Sequence, residues 1–168
     1  MNVKRHEGHE REMPNSHIYQ TSMPVAFFII WFLDANLFRI STFLNDFVPF
    51  LVRLILFIVI LIGAITFIMV SHRVLFQSHE PSTKLITNGI LAYVRNPMYF
   101  GILLIYVAFI FLSISLICIG LFIIIFLVYN MMINFEESIL ENMFGEQYLD
   151  YKSKVSKFIP NPIKRYKK

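Results

Sequence analysis

Residues 98–135 read MYFGILLIYVAFIFLSISLICIGLFIIIFLVYNMMINF and contain no charged side chain. As one α-helix the run would be about 57 Å long at roughly 1.5 Å per residue. A bilayer's hydrocarbon core is only about 30 Å thick. The run therefore predicts a helical hairpin that turns near Ser113–Ser115, with arms at about 98–112 and 116–135. The second arm is expected to leave the membrane as an amphipathic helix reaching about Met143, with Gly145 placed to cap it. Beyond it, residues 146–156 predict a short helix carrying Tyr148, Tyr151 and Val155 on one face, and Pro160 and Pro162 end regular structure.

Upstream lie two further apolar stretches. The one at about 50–70 is clean, with Arg53 close enough to its end to snorkel. The one at about 24–43 is interrupted by Asp34 and Arg39. An acid inside a span is a functional candidate by default. The plainer expectation, preferred here, is an internal partner such as Asn36 or a shallow, hydrated position. Residues 1–22 are polar and contain His6, His9 and His17; they predict a flexible tail, and residues 1–20 show no signal-peptide pattern. Residues 23–168 then form one membrane domain.

Composition supports this fold class. Hydrophobic residues make up 57% of the 168 positions and charged residues 15%, well under the roughly 25% charged of soluble domains. Mean hydropathy is +0.62. The class is all-α integral membrane, with about four transmembrane helices and amphipathic helices on the cytoplasmic side. Lys and Arg set the orientation. Arg73, Lys84 and Arg95 fall in the segment before the charge-free run, and Lys152, Lys154, Lys157, Lys164, Arg165, Lys167 and Lys168 fall after it. Two spans separate these groups, so both are expected in the cytoplasm, as is the N-terminal tail. The net charge of +4 is read as contact with anionic lipid and as topology rather than as nucleic-acid binding. No His/Cys/Asp/Glu cluster has ligand spacing outside the loose tail, so no metal is expected, and the single cysteine, Cys118, makes no intrachain disulfide.

Two polar blocks flank the run. The first contains Gly89, Tyr93, Arg95, Asn96, Pro97, Tyr99 and Gly101; the second contains Glu136, Glu137, Leu140, Phe144, Gly145, Tyr148 and Tyr151, then Val155, Lys157 and Pro160. A hairpin brings the blocks to the same side. There they can form a partly dry pocket with aromatic faces and both signs of charge, suited to a zwitterionic or cationic small molecule. Each residue alone has a plainer reading. Arg95 would be a positive-inside anchor, Glu136 and Glu137 a helix turn salt-bridged to it, and Tyr148 and Tyr151 an interfacial belt.

In order and spacing the two blocks resemble the isoprenylcysteine carboxyl methyltransferase family and its broader relatives, which include phospholipid N-methyltransferases. The resemblance covers about residues 80–160. It departs at Ile90-Leu91, where the family often has Pro-Tyr, at Asn96, where His is common, and at Val155-Ser156-Lys157, where Val-Pro-Arg is usual. What it implies is S-adenosylmethionine as cofactor and a membrane-borne acceptor, a prenylated small molecule or peptide or another lipid. Cofactor-binding residues would be Gly89, Tyr93, Arg95, Asn96, Pro97, Tyr99, Glu136, Glu137, Tyr148 and Tyr151, with Arg95 and Glu137 as the catalytic pair. The acceptor expected first is the carboxylate of a prenylcysteine or related isoprenoid acid. The alternatives are a phospholipid amine, or a non-catalytic membrane subunit or small transporter that keeps the fold.

Overall fold

A computed structural model describes residues 13–76, 84–160 and Tyr166. The expectations for His6 and His9, for the first residues of the family resemblance at about 80–83 and for most of the basic end fall outside those residues. All regular structure among the described residues is helical: α1 (Ser16–Phe32), α2 (Phe50–Phe76), α3 (Pro97–Ser113), α4 (Leu116–Phe144) and α5 (Glu146–Lys154). A π-helical stretch at Leu33–Phe38 extends α1, and short 3-10 turns occupy Phe43–Asp46 and Gly89–Ala92. Among the described residues three helices are long and apolar enough to cross a membrane: Ser16–Phe38, Phe50–Leu75 and Leu116–Phe144. Pro97–Ser113 is also apolar but shorter.

The first helix starts at Ser16 rather than at Pro24, so the polar residues before Pro24 are helical. Extending a helix that an apolar run has already nucleated adds one bond per residue fixed. Pro24 is accommodated inside it. At the other end the helix widens into the π stretch, where the Arg39 amide bonds to the Asp34 carbonyl at 2.9 Å, and Arg39, at φ 51°, ends it. The second helix runs past the expected residue 70 to Phe76. Pro97 opens α3, the position where its missing N–H and fixed φ cost least.

Two residues, Ile114 and Ser115, separate α3 from α4. Ile114 sits at φ 40°, an unusual angle for a β-branched residue. Its amide bonds back to the Ile110 carbonyl at 2.6 Å. Gly145, at φ 52°, separates α4 from α5 in the left-handed region that glycine enters without penalty.

The chain divides into two compact units. One is built from Asn15–Ile65 and Ile102–Asn130. Aromatic side chains hold it. Phe27 meets Tyr106 edge-on at 4.8 Å, and Phe28, Trp31 and Phe57 gather on Phe109. The Tyr106 and Tyr129 hydroxyls lie 3.3 Å apart, and the Trp31 indole N–H donates to the Phe109 carbonyl and to Ser113 Oγ, each at 3.1 Å. Arg53 turns inward instead of only snorkelling. Its guanidinium donates to the carbonyls of Val48 and Leu112 and to Asn45 Oδ1, which satisfies a carbonyl at the end of α3 that has no helical partner.

The other unit is formed by the described residues of Met1–Pro14, Thr66–Gly101 and Met131–Lys168. Its core gathers Leu85, Tyr148, Tyr151 and Val155, with Leu140, Phe144 and Tyr166 packed against it. Phe67 of α2 meets Phe100 of α3 edge-on at 5.0 Å.

Candidate functional site

Both polar blocks fall in this second unit. The first begins with a backbone feature. Gly89 opens its 3-10 turn at φ 59°, and a Cβ there would come within 3.0 Å of Val74 Cγ2. Both the angle and the neighbour select glycine. Gly89→Ala is therefore expected to lower stability by about 1–2 kcal/mol, the usual cost of a left-handed L-residue. Thermal unfolding in detergent would read it as a lowered midpoint.

From that turn the chain runs extended alongside the residues that follow α5. Val94 and Ser156 form an isolated parallel bridge. The Arg95 amide donates to the Ser156 carbonyl at 2.9 Å and the Asn96 amide to the Lys157 carbonyl at 3.2 Å. The Tyr151 hydroxyl donates to the Leu91 carbonyl at 2.7 Å, and the Tyr166 amide donates to the Ala92 carbonyl at 3.0 Å. These bonds hold the loop before α3 against the chain's C-terminal segment.

Side chains complete the joint. Arg95 Nε donates to Glu137 Oε1 at 3.0 Å and Nη2 reaches Oε2 at 3.4 Å. Arg95 Nη1 donates to the carbonyls of Lys152 and Val155 at 2.6 and 2.9 Å. Asn96 Nδ2 adds a bond to Glu137 Oε1 at 3.1 Å. The Arg95 side chain is 10% exposed and that of Glu137 4%, so the pair is buried. Lys152 lies 3.6 Å from Glu137 Oε2 and also pairs with Glu141. The sequence allowed two readings of these charges, cofactor contact or internal salt bridge, and the salt bridge is present.

Glu136 is adjacent in sequence, so it projects about 100° further round the helix. Its carboxylate accepts a short bond from the Tyr99 hydroxyl, and both residues are half-buried. Lys157, also half-buried, donates to Asn134 Oδ1 at 2.5 Å. Burial draws the Lys157 ammonium below the ordinary lysine range against the pull of Glu137, and Arg95 and Lys152 add to the lowering. Burial likewise pushes the Tyr148 hydroxyl up, with the Glu137 charge adding to it. Tyr151 is also raised, by burial first and then by Tyr148. Both tyrosines are neutral at physiological pH.

Of the residues named from sequence, Arg95, Asn96 and Glu137 meet in this joint, and Tyr151 bonds to the same loop at Leu91. Tyr99 with Glu136 forms a separate pair. Gly89 opens the turn before the loop, Pro97 opens α3, and Tyr148 packs with Tyr151 in the unit's core. Tyr93 lies half-buried between the 3-10 turn and Val94. Sequence reasoning passed over Lys152, Glu141 and Tyr166. Helical spacing carried a signal for two of them, because Glu141 lies one turn after Glu137 and Lys152 one turn after Tyr148. Among the described residues no three His, Cys, Asp or Glu side chains gather as a metal site.

The phospholipid methyltransferase family model matches residues 50–147, more than half of the chain. The chain belongs to this family. The family lies within the broader group of membrane methyltransferases that also holds the isoprenylcysteine carboxyl methyltransferase-like proteins. Membership makes the chain a membrane protein of methyltransferase type. The match takes in α2, α3 and α4, and with them Arg95, Asn96, Tyr99, Glu136 and Glu137; it ends inside α5, just before Tyr148. No curated protein matches the chain.

Proposed function

We propose that this protein transfers a methyl group from S-adenosylmethionine to a lipid-like acceptor held in the membrane. The observation that carries the reading is the joint around Glu137. Inside the family-matched stretch, Arg95 and Asn96 tie the loop before α3 to the end of α4, beside the Tyr99–Glu136 pair. The donor set suits the cofactor. A half-buried carboxylate with a tyrosine ring and hydroxyl matches its ammonium and ribose hydroxyls, and carboxylate and rings together favour a sulfonium cation. Lys157 matches its carboxylate. When bound, the cofactor supplies an electrophilic methyl on positively charged sulfur.

The chain's own residues then have distinct tasks. Glu136, Tyr99 and Lys157 hold and orient. Arg95 and Glu137, singled out from sequence as the catalytic pair, act as positioning residues that fix the loop and exclude water from it. A carboxylate acceptor is already ionised at neutral pH, so alignment and desolvation are what it needs. The acceptor read first from sequence is such a carboxylate, on a prenylcysteine or related isoprenoid acid. The description of the matched family favours a second reading, a phospholipid amine. An amine must lose a proton, and a carboxylate such as Glu136 or Glu137 would take it.

Methyl-tritiated S-adenosylmethionine offered with prenylcysteine and phosphatidylethanolamine acceptors in detergent would test the reading. Label is expected in one lipid class. An ester would release the label with alkali, whereas an N-methyl group would keep it. No label in either class would favour the non-catalytic reading.

We also propose four passes with both termini in the cytoplasm. The short α3 would span about 26 Å at roughly 1.5 Å per residue, a mismatch that modest thinning of the bilayer absorbs. Single cysteines placed in the two tails should label from the same side of sealed vesicles. Labelling from opposite sides would exclude an even number of passes.

A further inference from the structure

The unit built from residues 15–65 and 102–130 holds a second polar cluster, used by none of the chemistry above. Asp34 is buried, at 4% exposure, and so are Ser41 and Ser115. Asp34 Oδ1 accepts the Ser41 amide at 3.0 Å. Its Oδ2 accepts both serine hydroxyls, each at 2.5 Å. The hydroxyl oxygens themselves lie 3.1 Å apart.

Those oxygens also accept bonds. Ser41 Oγ accepts the Ile117 amide at 3.0 Å and Ser115 Oγ the Cys118 amide at 3.1 Å. The Ser41 carbonyl accepts the Leu116 amide at 3.3 Å. Leu116, Ile117 and Cys118 are the first three residues of α4. Their amides have no partner within the helix, and an apolar setting provides no water to take that place. All three are satisfied by Ser41 and Ser115. Because each hydroxyl spends its own proton on Asp34, the carboxylate sits one bond behind two of the amides, facing the positive end of the α4 dipole.

We propose that Asp34 is the anionic anchor of a relayed cap on α4, acting through Ser41 and Ser115 and setting how readily that end of the helix opens. The cap joins residues 34–41 to the start of α4 across a long sequence separation. Its function does not depend on which acceptor the protein methylates. An asparagine at this position keeps the shape but replaces one acceptor oxygen with a donor, so either the Ser41 amide or the two hydroxyl protons lose their acceptor, and the helix loses its facing charge in both cases.

The chain carries its own probe. Cys118 is its sole cysteine, is fully buried, and donates one of the capped amides. In the full-length protein in detergent, the rate of Cys118 modification by N-ethylmaleimide and the exchange rates of the Ile117 and Cys118 amides are measured. Asp34→Asn is expected to accelerate both by roughly tenfold to a hundredfold, the range for losing a charge-assisted bond. Amides around Ile125, further along α4, should keep their protection. Ser115→Ala and Ser41→Ala, milder changes, should each produce a smaller acceleration of the same kind, and they decide the matter if Asp34→Asn does not yield folded protein. Wild-type labelling and exchange in the folded variants would overturn the proposal. So would an equal loss of protection along all of α4, which would mean global loosening rather than an opened cap.

Discussion

Arg95→Ala should cost the protein about 3–5 kcal/mol of stability, the range for breaking a buried ion pair from one side. The expectation follows from what the guanidinium does. It faces Glu137 with two nitrogens and satisfies the carbonyls of Lys152 and Val155 with a third. Removing it leaves a buried carboxylate short of its main counter-charge, with Lys152 at 3.6 Å as partial compensation. It also releases the last turn of α5 from the loop before α3. Arg95→Lys should rescue little, since an ammonium cannot reproduce the planar fork. Pairing Arg95→Ala with Glu137→Gln should cost less than the two changes added together, because the stranded charge is gone. Denaturant or thermal unfolding in detergent measures all four variants against wild type. Arg73→Ala, an exposed basic residue late in α2, is the comparison that should change little. If Arg95→Ala unfolded like wild type, the joint would not be what holds the loop.

Glu136→Gln should behave differently. Its carboxylate is half-buried, bonded to Tyr99, and turned away from the Arg95 pair. The expected result is a stability change within about 1 kcal/mol, the net worth of an ordinary hydrogen bond. Affinity for S-adenosylhomocysteine should fall by roughly tenfold to a hundredfold, the range for a lost charge-assisted contact. Tyr99→Phe, which keeps the ring and removes the hydroxyl, should lie between wild type and Glu136→Gln. The two sites thus separate by readout: Arg95 moves stability first, and Glu136 moves binding alone. Equal binding by Glu136→Gln and wild type would remove Glu136 from the cofactor's contacts.

Much of this architecture was legible because it is written in local pattern. A charge-free run too long for one crossing predicts a break, and α3 ends at Ser113 with α4 starting at Leu116. Gly145 marked the end of α4, since a left-handed residue favours glycine. The loop and the two glutamates were legible as ordered blocks at fixed spacing. The start of α1 was not, because Ser16, His17, Gln20 and Thr21 are polar yet helical, and polarity alone does not set a helix boundary. Nor was the partnership of Arg95. Half of its bonds go to the backbone carbonyls of Lys152 and Val155, and carbonyls leave no mark in a side-chain pattern. Asp34 shows the same limit. Its partners stand seven and 81 residues away, and no periodicity connects them. Asn36, the neighbour that sequence suggested, bonds to the Phe32 carbonyl instead.

The most direct measurement is a calorimetric titration of the detergent-purified, monodisperse protein with S-adenosylhomocysteine. Saturable binding to wild type is expected, kept by Arg73→Ala and weakened in Glu136→Gln. A folded wild-type protein that bound neither S-adenosylhomocysteine nor S-adenosylmethionine would contradict the assignment of this chain as a working methyltransferase.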